Sequence, residues 1–161
     1  MTGAQAARRV LDNHGLYHVQ IEYIRGNLTD HYDPKTNVIR LSDSVFSSAS
    51  VAAVGVAAHE VGHAIQHAKG YIPLKLRNAI VPVTNIGSRL SMPLIFIGIL
   101  LSGVGEIFAL MAYVGVACFS LCAIFQLLPL PTDFNATRRA MKMIKEGGFL
   151  TAEETVGAKR V

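Results

Sequence analysis

From Ser91 to Thr132 the chain carries one ionisable carboxylate, Glu106, and no lysine or arginine. Two apolar blocks, Leu90–Gly105 and Ile107–Leu130, flank a glycine-rich break, Ser102–Glu106. The second block is long enough to span a bilayer, and the first reaches that length if it begins before Arg89. Two such helices buried in a soluble core would need more protein around them than a chain of 161 residues supplies. The stretch therefore predicts a transmembrane helical hairpin over about residues 90–130, with the break at its tip. Charged residues make up only 16% of the chain, against about a quarter in soluble domains, and the deficit is confined to this region. The net charge of +4 is modest and comes without a Lys/Arg cluster of the kind nucleic-acid binding would want, so nucleic acid is not the expected partner. Cys118 and Cys122 read as small apolar residues within the second block.

The polar half of the chain centres on His59-Glu60-Val61-Gly62-His63, an H-E-x-x-H pattern inside the run Ser50–Gly70. Residues four apart share one helical face, so His59 and His63 can aim two imidazoles at one metal ion. Glu60 is rotated off that pair, close enough to polarise a water without filling a coordination position. Zinc held by two imidazoles and one further ligand keeps a position open and lowers the pKa of water toward ~7. Glu60 would then act as general base and return the proton to the leaving amine. Ser47, Ser48 or Ser50 offers the N-cap, and Gly70 with Pro73 beyond it stops the helix. Gly62 inside the motif implies a close approach by another element. His67 continues the ladder, but eight residues of helix rise about 12 Å, too far for a bond of about 2 Å to the same ion. Gln66 and Lys69 stand where the longer metzincin pattern needs a glycine and a third histidine.

Before this helix, Thr2 and Gln5 predict a capping box for an amphipathic helix ending at Asn13-His14-Gly15. Residues 17–24, Leu28–Tyr32 and Val38–Leu41 predict short strands, the last two joined through Asp33-Pro34-Lys35-Thr36-Asn37. A small antiparallel sheet is expected, whose edge can pair with an extended peptide or simply support the helix. His31, between Asp30 and Asp33, is a candidate substrate or oxyanion contact, or a turn histidine with local hydrogen bonds. Tyr71–Arg89, with two prolines, suits a helix lying at the membrane surface. After Pro129-Leu130-Pro131 a helix is expected over Asp133–Lys145, stopped by Gly147-Gly148. Thr151 and Glu154 offer a further capping box.

The segments NLTDHYDPKTNVIRLSDSVF, SVAAVGVAAHEVGHAIQHAKGYIPLKLR and LPTDFNATRRAMKMI together resemble the YugP-like neutral zinc metallopeptidases of bacterial membranes. The resemblance covers nearly the whole chain. It implies one zinc ion, a peptide or protein substrate, contact with membrane lipid, and an oligomer or membrane partner protein as a further association. It also implies additional chain at both ends, so that residues 1–161 form a single metallopeptidase domain from a longer protein. More distantly the layout is similar to gluzincin membrane proteases, in which a downstream helix supplies a Glu ligand in an E-F-x-A-D-like motif. Here the matching run is Asp133-Phe134-Asn135-Ala136-Thr137, so the third ligand implied is Asp133. Asp30, Asp33, Asp43, Glu146 and Glu153 are rivals, and Asp133 would also suit a helix N-cap.

The sequence thus predicts an α+β, mostly helical protein with a metal-binding helix, a small sheet and a membrane hairpin. The expected activity is that of a membrane-associated zinc endopeptidase, with Glu60 catalytic and His59, His63 and Asp133 on the metal. His31 or Arg138 would assist the oxyanion. Basic residues on both sides of the hairpin (Arg77 and Arg89 before it; Arg138, Arg139, Lys142 and Lys145 after it) place the site on the cytoplasmic face of the bacterial inner membrane. The competing class is a non-proteolytic metal-binding scaffold, against which an intact Glu60 argues. An intramembrane protease is disfavoured by Gln66, His67 and Lys69 around the metal helix.

Overall fold

The computed structural model describes residues 1–160 and is mostly helical, with a three-stranded sheet. In chain order the elements are α1 (Gly3–Asn13), β1 (Gln20–Tyr23), β2 (His31–Asp33), β3 (Val38–Leu41), α2 (Asp43–Phe46), α3 (Val51–Ala68), α4 (Ile72–Leu100), α5 (Glu106–Phe125), α6 (Leu130–Gly147) and α7 (Ala152–Ala158). They form two compact units. One comprises Met1–Tyr71 and the chain from Asp133 onward; the other is Ile72–Thr132.

In the first unit, α1 begins as its sequence predicts. Thr2 accepts from the Gln5 amide at 3.3 Å and Gln5 Oε1 accepts from the Thr2 amide at 3.0 Å, closing the capping box. Its apolar stripe, Ala6, Ala7, Val10 and Leu11, is buried in a core shared with Ile39, Leu41, Ala57, Val61 and Ile144. The sheet is mixed, where an antiparallel one was expected. β3 is central, antiparallel to β2 but parallel to β1, with Ile21 opposite Ile39. Only the β2–β3 connection is a tight turn; there Asp33 accepts from the Lys35 amide and the Thr36 hydroxyl, both at 2.9 Å. Asn37 completes the turn at φ 54°. Parallel β1 and β3 need the longer crossover through β2. α3 takes Ser50 as its N-cap, its side chain accepting from the Ala53 amide, and ends at Ala68 before Gly70 at φ +66°. Buried Ala136, Ala140 and Ile144 are spaced by four along α6 and give it one inward stripe.

The second unit is a helical hairpin. α4 runs unbroken from Ile72 to Leu100 with Pro82 and Pro93 inside it, so the separate surface helix expected over Tyr71–Arg89 is instead the first half of a long one. A proline lacks one donor but does not end a helix whose environment keeps it, a common situation in membrane helices. Residues 101–105 form the turn and α5 follows with twenty residues, or about 30 Å. Both helices are long and apolar enough to cross a membrane, and little of either is buried within the protein. Phe96 and Leu100, for example, are 70% and 82% exposed.

Candidate metal centre

α3 and α6 bring three ligand atoms together. His63 Nε2 lies 3.2 Å from His59 Nε2 and 3.4 Å from Asp133 Oδ1. Donor atoms of the three residues all fall within 4.8 Å of one another. Two atoms bonded to one tetrahedral zinc at about 2.0–2.1 Å are separated by about 3.3 Å, which the two short distances match.

The other ring nitrogens explain the orientation. Gln66 Oε1 accepts from His63 Nδ1 at 2.9 Å, and the Thr137 hydroxyl, which can accept or donate, stands 3.0 Å from His59 Nδ1. With Nδ1 protonated in both rings, each Nε2 presents a lone pair, and those lone pairs converge with a carboxylate oxygen. A cation fits such a donor set. Gln66 is fully buried; its amide donates to Asn135 Oδ1 at 3.0 Å, which also accepts from Arg139 Nε at 2.7 Å. A chain of hydrogen bonds therefore runs from the Arg139 guanidinium to the His63 ring. Arg139 also sits over the Tyr71 ring, 5.8 Å from its centroid.

Close approach of the helices rests on Gly62. A Cβ there would meet the Ala136 carbonyl oxygen at 2.6 Å, so only glycine lets the α6 backbone come this near. Asp133 stands in the first turn of α6, which starts at Leu130. It is therefore inside the helix and is not its N-cap. Glu60 follows His59 and is buried on α3. Beside His59 lies a pocket of about 170 Å³, with Val56, Thr137, Met141 and Ala158 among its walls.

The full length of the chain, residues 1–161, matches the family described as "Putative neutral zinc metallopeptidase". The chain belongs to that family. It is 46% identical over 160 residues to "Putative membrane protease YugP" of Bacillus subtilis (strain 168), covering 99% of this chain and 69% of the relative. No solved structure matches it. Membership implies zinc, and His59, His63 and Asp133 form the group that could bind it.

The other sequence candidates are spread more widely. Asp30 accepts from the Ser42 amide and hydroxyl, Asp33 is held in its turn, and Asp43 accepts from the Tyr23 hydroxyl. Hydrogen bonding in these turns holds the carboxyls of Asp33 and Asp43 below their ordinary range: first the Lys35 amide for Asp33, and first the Tyr23 hydroxyl for Asp43. Glu146 faces Lys142 at 3.7 Å. His31 is in β2, with Nδ1 2.8 Å from the Thr29 carbonyl oxygen, the local bond of a turn histidine. Arg138 lines a groove beside Thr137. His67 meets the Tyr32 hydroxyl at 2.8 Å, and burial, followed by the charge of Asp33, pushes that hydroxyl up to about 12. The sequence alone assigns neither Gln66 nor Thr137 a place beside a metal-facing histidine. The signal available was their spacing: Gln66 lies three residues past His63, and Thr137 four past Asp133.

Proposed function

We propose that this chain is a membrane-associated zinc endopeptidase in which His59, His63 and Asp133 hold one zinc ion. The observation that carries the reading is the convergence of three lone-pair donors, each imidazole oriented by its own Nδ1 partner, one residue away from a buried glutamate. Zinc, when bound there, supplies Lewis acidity that polarises a peptide carbonyl and acidifies water. Glu60 takes the proton from the attacking water and delivers it to the leaving amine. Gln66 and Thr137 keep both rings in the tautomer that leaves Nε2 available. β2 is an edge strand joined to α3 through Tyr32 and His67, which suits it to pair with an extended substrate backbone. Arg138 is the better placed of the two oxyanion candidates, because the groove it lines shares Thr137 with the pocket at His59.

The deciding experiment is Glu60→Gln in the membrane-inserted protein. Zinc stays near one per chain while peptide turnover falls by at least about 10³-fold, in the range of a lost general base. Activity within a fewfold of wild type refutes the mechanism. Zinc binding without turnover in the wild type would favour the scaffold reading. Two spans return the chain to its starting side, so the basic flanks of the hairpin put the site in the cytoplasm of the bacterial cell. Labelling of a cysteine placed at position 70 by an impermeant reagent added outside intact cells would contradict that orientation.

A further inference from the structure

A second concavity, of about 630 Å³, lies between α6 and α7 and shares Thr137 and Met141 with the pocket at His59. Its walls carry Arg138, Lys142 and Lys145 from α6 and Lys159 at the C-cap of α7, with Phe134 and Val156 as exposed apolar surface. Among the described residues, no carboxylate lines it. At the rim Lys142 pairs with Glu146 at 3.7 Å, but both side chains are well exposed and such a pair is weak. From Phe134 to Lys145 the helix rises about 16 Å, the length of about five residues of extended chain. Arg138, Lys142 and Lys145 follow one another at about 6 and 4.5 Å of rise. Alternate residues of a strand are about 6.6 Å apart on one face, a comparable step.

We infer that this groove is the specificity subsite of the peptidase, and that it takes an extended peptide segment with acidic side chains at alternate positions on one side of the bond to be cut. The inference rests on the proposed peptidase activity. Three features support it: continuity with the pocket at His59, cations on two facing walls, and apolar surface between them. A cleft walled on both sides suits a threaded chain, whereas an anionic bilayer would engage a convex patch on one side.

The test uses the full chain, zinc-loaded, in discs of zwitterionic lipid. Two peptides of equal length are compared, one with Glu and one with Gln at alternate positions. At low salt kcat/KM favours the Glu peptide by about tenfold, and the double variant Lys145→Glu/Lys159→Glu reduces that ratio to about one or below, with zinc content unchanged. Equal cleavage of the two peptides by wild type, or an unchanged ratio in the variant, overturns the inference while leaving the peptidase intact. So does a variant that loses only its binding to anionic vesicles. Fluorescence anisotropy of the labelled Glu peptide on the Glu60→Gln protein separates the two readings. Charge-dependent binding there supports the groove even if no peptide is cleaved, and its absence overturns the groove even if some are.

Discussion

The α3–α6 crossing and the α4–α5 hairpin use the same packing device for different ends. In both, glycine brings two helix backbones together. Gly62 admits the Ala136 carbonyl on one side; in the hairpin a Cβ on Gly98 would lie 2.6 Å from the Ala112 nitrogen, and one on Gly115 would lie 2.8 Å from Ile95. What surrounds the contacts differs. α3 buries residues on most of its circumference and hangs polar groups on α6 through His59–Thr137 and Gln66–Asn135. α4 and α5 leave their apolar side chains outside, and α5 has a single buried residue, Gly115. Both helices are long and apolar enough to cross a membrane, and in lipid, where no hydrophobic force acts between helices, small residues and van der Waals contact would have to hold the pair. In the unit that holds His59, His63 and Asp133, close contact sets the distance between donor atoms; in the hairpin it supplies cohesion.

That contrast can be broken most severely at Asp133. Its replacement by alanine removes a donor atom and lowers zinc affinity at least about a hundredfold, beyond the 10–100-fold typical of outer partners. Asp133→Asn keeps an oxygen and loses less. Competition titration with a chelating dye measures both, and wild-type affinity in Asp133→Ala would place the ligand elsewhere. Next in size is Gln66→Leu, similar in volume but unable to accept from His63 Nδ1. Zinc affinity drops by about 10–100-fold with little change in membrane insertion, and an unchanged affinity would deny Gln66 its orienting role. The smallest effects come from overpacking. Gly62→Ala and Gly98→Ala each place a Cβ within 3 Å of backbone and cost about 1–3 kcal/mol. Only Gly62→Ala weakens zinc binding; Gly98→Ala lowers thermal stability alone. Thermal melts with and without added zinc distinguish them, and equal effects on zinc would erase the difference between the crossings.

Much of this was legible before the structure because it is local. Both capping boxes, a serine cap that the structure narrows from three candidates to Ser50, the stop at Gly70 and the apolar hairpin follow from residues within one or two turns of each other. The spacing of His59 and His63 already places them on one helical face, and Gly62 announces a close neighbour without naming it. The continuity of α4 from Ile72 was not legible, because Arg77, Arg89 and two prolines resemble a separate surface segment, although a helix tolerates them when its surroundings hold it. β1 was misjudged because a strand's pattern reports which face is buried and not which strand lies beside it.

Tertiary structure decided everything that needed two distant segments to meet. Gln66 and Asn135 are 69 positions apart, His59 and Thr137 78 apart, and no periodicity links them. The family resemblance implies Asp133 as the third ligand with a helix N-cap as its alternative role; α6 begins at Leu130, which removes the cap and leaves that carboxylate 3.4 Å from His63. The sequence by itself determined which residues could bind a metal, since chemistry and helical spacing are written along the chain. Which carboxylate lies within reach of them, and which amide and hydroxyl stand beside the rings, depended on how closely two helices cross, a distance set by packing at Gly62 and Ala136.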